Sequence, residues 1–400
     1  MTTRPYYGDS YTWQFDANVI EVSAGDDAPY AVLDASYFYP TSGGQPHDTG
    51  TIGIANVVDV SVRPSDGAVI HVLDAPIAVG PARAAIDGGR RFDHMQQHTG
   101  QHILSQAFIR VANAATIGFH LGVDTVSIDL NDGALSEAQI AESAEVANQV
   151  VSGNCEVRAW FPEADELASL ALRKVPEVDG ALRVVAIGDF DFSACGGTHV
   201  TRAGEVGLLS VVRVERMKRG TRVEFHAGHR ARVDYARKHA IVQKLSAALT
   251  CAQGELSVAV ERLSSELTQA RRALVAYRER DLDDEAERLS ETAPINAGEL
   301  RIVHAAFDAR AIDEVKGLAL RITDRPDMVA LLGASGSRTQ LVFARSENVT
   351  LDLKPAFDAA LAALGGGKGG GGRVLMGAAP AVDVERLGKV LAESASTLRA

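Results

Sequence analysis

The chain has 400 residues, 46% hydrophobic and 23% charged, the make-up of a soluble globular protein of about two to four domains. No apolar run approaches the ~18 residues a membrane span needs, and a net charge of −12 argues against a protein that coats nucleic acid non-specifically. Three cysteines, Cys155, Cys195 and Cys251, argue against a disulfide framework and for a reducing compartment.

The first residues, Thr2–Ser10, are polar, with no apolar stretch after a basic start, so no secretory leader is expected and the protein is expected in the cytoplasm. Residues 1–88 alternate apolar and polar side chains in short runs ("TWQFDANVIEVS", "TIGIANVVDVSVR", "AVIHVLDA") punctuated by Gly, Pro and Asp. This predicts a small antiparallel β domain closed into a barrel. Residues 89–230 predict an α+β domain. A helix is expected from Asp93 through "HMQQHTGQHILSQAFIRVANA", and another over "LSEAQIAESAEVANQVVSGN" up to Gly153. Strands are expected at "TVSIDLND", "CEVRAWFP" and "LRVVAIGDFD", and a hairpin at "EVGLLSVVRVERMKRGTRVEFHAG".

Residues 231–297 are expected to be a helical linker. Leu256, Val260, Leu263, Leu267, Ala270, Leu274 and Tyr277 repeat at spacings of four and three, a heptad seam. It is read either as a coiled coil joining a homodimer or as an arm packed on its own chain. Residues 298–400 alternate strands and helices around "GGGKGGGG" and predict a compact α/β domain with a glycine-rich loop. That loop is no phosphate-binding P-loop, because Gly rather than Ser or Thr follows Lys368. It is read as a mobile loop that contacts RNA phosphate through Lys368, or as a plain linker.

Two short motifs carry the chemistry. "HTGQH" places His98 and His102 at i and i+4, about 6 Å apart on one helical face. "CGGTH" places Cys195 and His199 around two glycines that permit a tight turn. Either pair alone is ordinary; together they form a His, His, Cys, His set that suits one zinc ion per chain. "FYPTSGGQPHDTG" adds Thr41, Ser42 and Gln45 as neutral hydrogen-bonding groups, and Gly43 and Gly44, where a ligand can approach bare backbone. "IGFHLG" is read as a further loop, with His120 as a substrate or RNA contact. Residues 201–250 hold eleven Lys and Arg against four Asp and Glu. The densest part, with Arg213, Arg216, Lys218, Arg219 and Arg222, is read as a confined polyanion contact or a solvated face.

In this order, "FYPTSGGQPHDTG", "QHTGQHILSQAF", "IGFHLGVDTVSIDL" and "ACGGTHVTRAGEVGLL" resemble the alanyl-tRNA editing proteins, free-standing relatives of the editing domain of alanyl-tRNA synthetase. The resemblance spans about residues 10–230. The tail from about 300 is similar to the C-terminal (DHHA1-type) domain of that synthetase. The synthetase motif commonly begins with two adjacent histidines; Gln97 stands at the first position here, so only His98 and His102 carry over. The resemblance implies hydrolysis of tRNA(Ala) mischarged with serine or glycine, in trans, with Thr41 and Gln45 in the catalytic pocket. It also implies tRNA binding and dimer formation by the C-terminal domain. A tRNA-binding zinc module without hydrolysis and an unrelated zinc hydrolase are the competing readings. The second finds neither an HExxH helix nor a carboxylate cluster for two metals.

Overall fold

The computed structural model describes residues 2–23, 28–174, 181–295 and 299–398. The chain divides into two compact units, residues 1–248 and 249–400. The first unit contains both the barrel and the α+β layers expected as separate domains. The boundary expected at residues 297–298 lies outside the described residues.

Alternation gives each early strand one buried face. β1 (Gln14–Val22), β2 (Tyr30–Leu33), β3 (Gly50–Ile52), β4 (Ala55–Val62), β5 (Val69–Leu73) and β6 (Gly80–Ile86) pair antiparallel. They close in the order β1-β2-β5-β4-β3-β6, so no strand edge is left open. Phe15, Val19, Leu33, Phe38, Ile52, Val60 and Val69 fill the interior.

Helix α1 (Gly88–Ala112) starts one turn earlier than Asp93, the start expected from sequence, because the Asp87 side chain caps it by accepting from the Arg90 N–H. Its middle is unusual. His94, Gln96, Gln97, His98, Thr99, Gln101, His102 and Ser105 are all buried although polar. Buried polar groups need partners, so this helix is where other segments must converge. Gln97 shows how: its amide donates to the Ala227 carbonyl at 2.9 Å and accepts from the Ala227 N–H at 2.9 Å. Arg91 is fully buried and forks onto the Asp48 carboxylate, and a further arm donates to the Ser10 carbonyl at 2.9 Å. Asp48 in turn accepts from the Tyr39 N–H at 2.6 Å. This buried pair fixes the 39–48 loop against α1 and so delivers the glycine loop to the helix that carries the histidines.

Then follow β7 (Thr116–Leu121), β8 (Val126–Leu130), α2 (Glu137–Gly153), β9 (Val157–Trp160), α3 (Ala164–Ser169), β10 (Val184–Ile187), β11 (Asp191–Ala194), β12 (Leu209–Met217), β13 (Gly220–Ala227) and α4 (Gly228–Leu249). A capping box of Ser136 and Gln139 starts α2. The strands form two antiparallel sheets, β11-β10-β9 and β12-β13-β8-β7, around a core that includes Ile103, Leu104, Phe108, Ile128, Ile187 and Phe225. "IGFHLG" is therefore a strand, not a loop: β7 pairs along β8, with His120 opposite Ser127. Its two glycines masked the alternation.

In the second unit, α5 (Leu256–Thr292) buries Leu282 and Ala286. The heptad residues Val260, Leu263, Leu267, Leu274 and Tyr277 stay 45–69% exposed. β14 (Arg301–Asp308), α6 (Ile312–Thr323), β15 (Met328–Ser335), β16 (Thr339–Arg345), α7 (Lys354–Ala363), β17 (Lys368–Gly371), β18 (Val374–Ala379) and α8 (Val384–Thr397) complete it. The sheet order is β14-β15-β16-β18-β17, with only β14 and β15 parallel, joined through α6. Half of "GGGKGGGG" is thus an edge strand rather than a loop. Glycine suits it sterically, because a Cβ at Gly369 would stand 2.4 Å from the Met376 carbonyl oxygen. No described helix is long and apolar enough to cross a membrane.

Candidate metal centre

The two motifs meet. His98 and His102 project from α1, and Cys195 and His199 from the turn after β11. One ligand atom from each lies within 4.8 Å of every other. Cys195 Sγ is 3.3 Å from His98 Nε2 and 3.3 Å from His199 Nε2. Tetrahedral zinc with bonds of about 2.0–2.3 Å puts neighbouring ligand atoms roughly 3.3–3.6 Å apart. The two spacings from Cys195 fit such an ion.

The orientation of the rings fits it as well. A metal-binding imidazole presents one nitrogen to the ion and gives the other to a protein group. His98 Nδ1 is 2.8 Å from Gln45 Oε1, which also accepts from the Thr198 N–H at 3.1 Å. An amide oxygen only accepts, so His98 carries its proton on Nδ1 and leaves Nε2 bare. His199 Nδ1 faces Thr99 Oγ1 at 3.1 Å. His102 Nδ1 lies 3.3 Å from Asp191 Oδ2, and Asp191 is held by Ser193 Oγ at 2.8 Å and Arg173 Nε at 3.6 Å. All three imidazoles thus turn the same nitrogen inward.

Electrostatics agrees. Burial opposes ionisation of the Cys195 thiol, but the His98 and His199 rings and hydrogen bonds from His102 and His199 outweigh it. The thiol falls well below its ordinary range, towards the thiolate that binds metal. Burial pushes His199 down to about 3. Burial opposes charge on both His102 and Asp191. Their pairing prevails, raising the imidazole and lowering the carboxyl. Asp191→Asn is expected to weaken binding of a divalent ion by about 10–100-fold, measured by chelator competition on the folded protein. Unchanged affinity would show that Asp191 does not orient His102.

The remaining candidates divide. Gln45 is fully buried; its amide donates to Thr198 Oγ1 at 2.8 Å, so its hydrogen-bonding capacity goes to His98 and the second motif. Thr41 is exposed at the lip of the loop, and its hydroxyl accepts from the His47 N–H and meets His47 Nδ1, both at 3.1 Å. Ser42 and Gln45 exchange backbone hydrogen bonds at 3.0 and 2.9 Å. Gly43 and Gly44 have φ of 56° and 87°, and a Cβ on Gly44 would stand 2.7 Å from the Phe119 carbonyl oxygen. The loop therefore presses on β7, where the Phe119 ring lies 5.1 Å from that of His98. His120 is exposed and reaches Asp129 at 3.2 Å.

The basic strip is less uniform than its composition suggests. Arg222 grips Asp129 at 2.7 and 2.8 Å, and Arg213 lies 3.3 Å from Glu215. Arg216, Lys218 and Arg219 stand exposed around the β12–β13 turn, with no ion pair among the described residues. Lys368 is exposed on β17 of the second unit. Thr99, Asp191 and Arg173 were not singled out from sequence. The only signal was position: Thr99 follows a ligand, and Asp191 lies four residues before one.

Residues 182–224 match the family described as threonyl and alanyl tRNA synthetase second additional domain. The chain is 29% identical to the alanyl-tRNA editing protein AlaX-L of Pyrococcus horikoshii over 388 residues, 93% of each chain. It is 29% identical to the alanine–tRNA ligase of Pyrococcus furiosus over 83% of this chain and 37% of the ligase. It is 32% identical to the ligase of Pyrococcus abyssi over 67% of this chain and 30% of that one. The chain thus spans about a third of the length of these ligases and nearly all of the editing protein. With the histidine–cysteine centre assembled from the two expected motifs, these likenesses place the chain in the alanyl-tRNA editing protein family, related to the editing and C-terminal domains of alanyl-tRNA synthetase.

Proposed function

We propose that the protein is a trans-editing hydrolase that cleaves the aminoacyl ester of tRNA(Ala) mischarged with serine at a centre holding one zinc ion. The carrying observation is the cluster of His98, His102, Cys195 and His199, its three imidazoles all oriented by protein groups. The likeness to AlaX-L over 93% of both chains supports the substrate class and action in trans.

Bound zinc would supply Lewis acidity to the aminoacyl end or to a water. The chain's own residues do the rest. Gln45, Thr99 and Asp191 hold the rings. Gly43, with open space beside it, would let the terminal ribose approach the backbone, while Gly44 lets the loop press on Phe119. Thr41 is the proposed partner of a substrate hydroxyl. A charging pocket lined by apolar groups rejects an added hydroxyl only about a hundredfold. An editing pocket that favours one gains a further factor, because a serine hydroxyl would add a hydrogen bond at Thr41, beyond its His47 partners, that alanine cannot make, worth about 0.5–1.5 kcal/mol. Thr41 is exposed here, so this discrimination requires the substrate itself to cover it. Arg216, Lys218 and Arg219, with Arg213 and Arg222 beside them, are the proposed tRNA backbone contacts of the first unit, and Lys368 that of the second. The exposed heptad stripe of α5 is the proposed homodimer seam. The site of action is the cytoplasm.

Purified protein is expected to contain one zinc per chain and to deacylate Ser-tRNA(Ala) about two- to tenfold faster than Ala-tRNA(Ala), the factor one added hydrogen bond gives. Binding of Ser-tRNA(Ala) without hydrolysis would replace this reading with that of a tRNA-holding zinc module.

A further inference from the structure

Arg183 is 6% exposed, and no carboxylate pairs with it among the described residues. A buried guanidinium in that position is costly unless its N–H groups are taken up. They are taken up by main chain. Nε donates to the Tyr7 carbonyl at 3.0 Å, and Nη1 donates to the carbonyls of Cys195 at 2.8 Å and Gly197 at 2.9 Å. The Arg183 carbonyl in turn accepts from the Cys195 N–H at 3.0 Å. Cys195 is therefore gripped on both sides of its own residue by Arg183. The grip follows from register, since β10 and β11 pair Val184 with Ala194, which puts Arg183 beside Cys195.

The turn that needs gripping is Cys-Gly-Gly. Two successive glycines give it wide backbone freedom, and that freedom must be lost when Cys195 and His199 meet one ion. A fork that spans Cys195 and Gly197 removes it in advance, which is how preorganisation raises affinity. We propose that Arg183 is a positioning residue of the metal centre, holding the Cys195–His199 turn in ligating geometry before the ion arrives. This rests on the reading that the four residues bind metal and adds no contact to substrate.

The test uses cobalt(II) as the probe on the full chain. Thiolate-to-cobalt absorption reports the Cys195 bond, and chelator competition gives the affinity. Arg183→Met and Arg183→Lys are each expected to bind cobalt about 10–100-fold more weakly, the range for groups that support metal ligands. Lysine keeps the charge but cannot reproduce a planar fork across three carbonyls. Thermal unfolding in excess chelator tracks the fold separately. Native cobalt affinity in either folded variant overturns the proposal, whatever its stability. If Arg183→Met does not fold, Arg183→Lys decides; failure of both to fold also overturns it, because the arginine would then serve the fold and not the centre. A wild-type chain with no thiolate–cobalt band would sink the metal reading itself, a different result.

Discussion

Cys195→Ala is expected to lose its zinc and to deacylate Ser-tRNA(Ala) no faster than the uncatalysed ester decays. The thiol is the only donor of the four that brings a negative charge, and its Sγ is 3.3 Å from both His98 and His199. Without it, three neutral imidazoles face one another around a divalent ion, and the softest bond is gone. The loss of affinity should exceed the ~10–100-fold range of supporting groups. His102→Ala is expected to match it and in addition to strand Asp191, whose buried carboxylate would keep only Ser193 and Arg173. The measurement is zinc content by metal analysis beside single-turnover deacylation. Full activity in a folded, zinc-free Cys195→Ala protein would end the metal-centred account.

How much of this was legible beforehand follows from how local each signal is. The pair His98 and His102 shares a helical face by spacing alone, and Cys195 and His199 share a turn. The barrel strands wrote their alternation plainly, because one face of each is packed and the other solvated. What sequence could not give was convergence. Asp191, Thr99 and Arg183 act on the centre through contacts set by register and by the α1 packing, and nearness in sequence to a ligand is the only mark Thr99 and Asp191 carry. Gln45 was visible as an unexplained polar residue beside two glycines. Its orientation toward His98 depends on the buried Arg91–Asp48 pair, which lies outside the motif's logic. Glycine misled twice. In "IGFHLG" and "GGGKGGGG" it reads as a loop signal. In both places it permits a strand where a side chain would meet a neighbour, as at Gly369 against the Met376 carbonyl.

Gly197 shows the opposite case, a glycine whose steric role predicts function. Gly197→Ala removes no ligand, yet it is expected to disable the centre almost as fully as losing one. A Cβ there would stand 2.2 Å from His98 Cε1, 2.4 Å from His98 Nδ1 and 2.9 Å from Gln45 Oε1. None of these atoms is the free end of a flexible chain. The His98 ring is fixed by Gln45, and Gln45 is itself tied to Thr198 at both ends of its amide. The backbone cannot yield instead. The Gly197 N–H donates to Cys195 Sγ at 3.4 Å, and its carbonyl accepts from Arg183 at 2.9 Å. Overpacking a filled interior costs typically about 1–3 kcal/mol, and here the strain relaxes only by moving a ligand. Zinc affinity should therefore fall by about a hundredfold, towards the top of that energy range, while the second unit stays folded. Gly196→Ala is the control one residue away. Gly196 is exposed, and its nearest neighbour for a Cβ is Tyr7 Cε1 at 3.8 Å, an ordinary contact. It should keep near-native zinc content and deacylation. Equal damage from both substitutions would mean that the turn needs glycine for backbone freedom alone, and that the close approach of Gly197 to His98 does not govern the site.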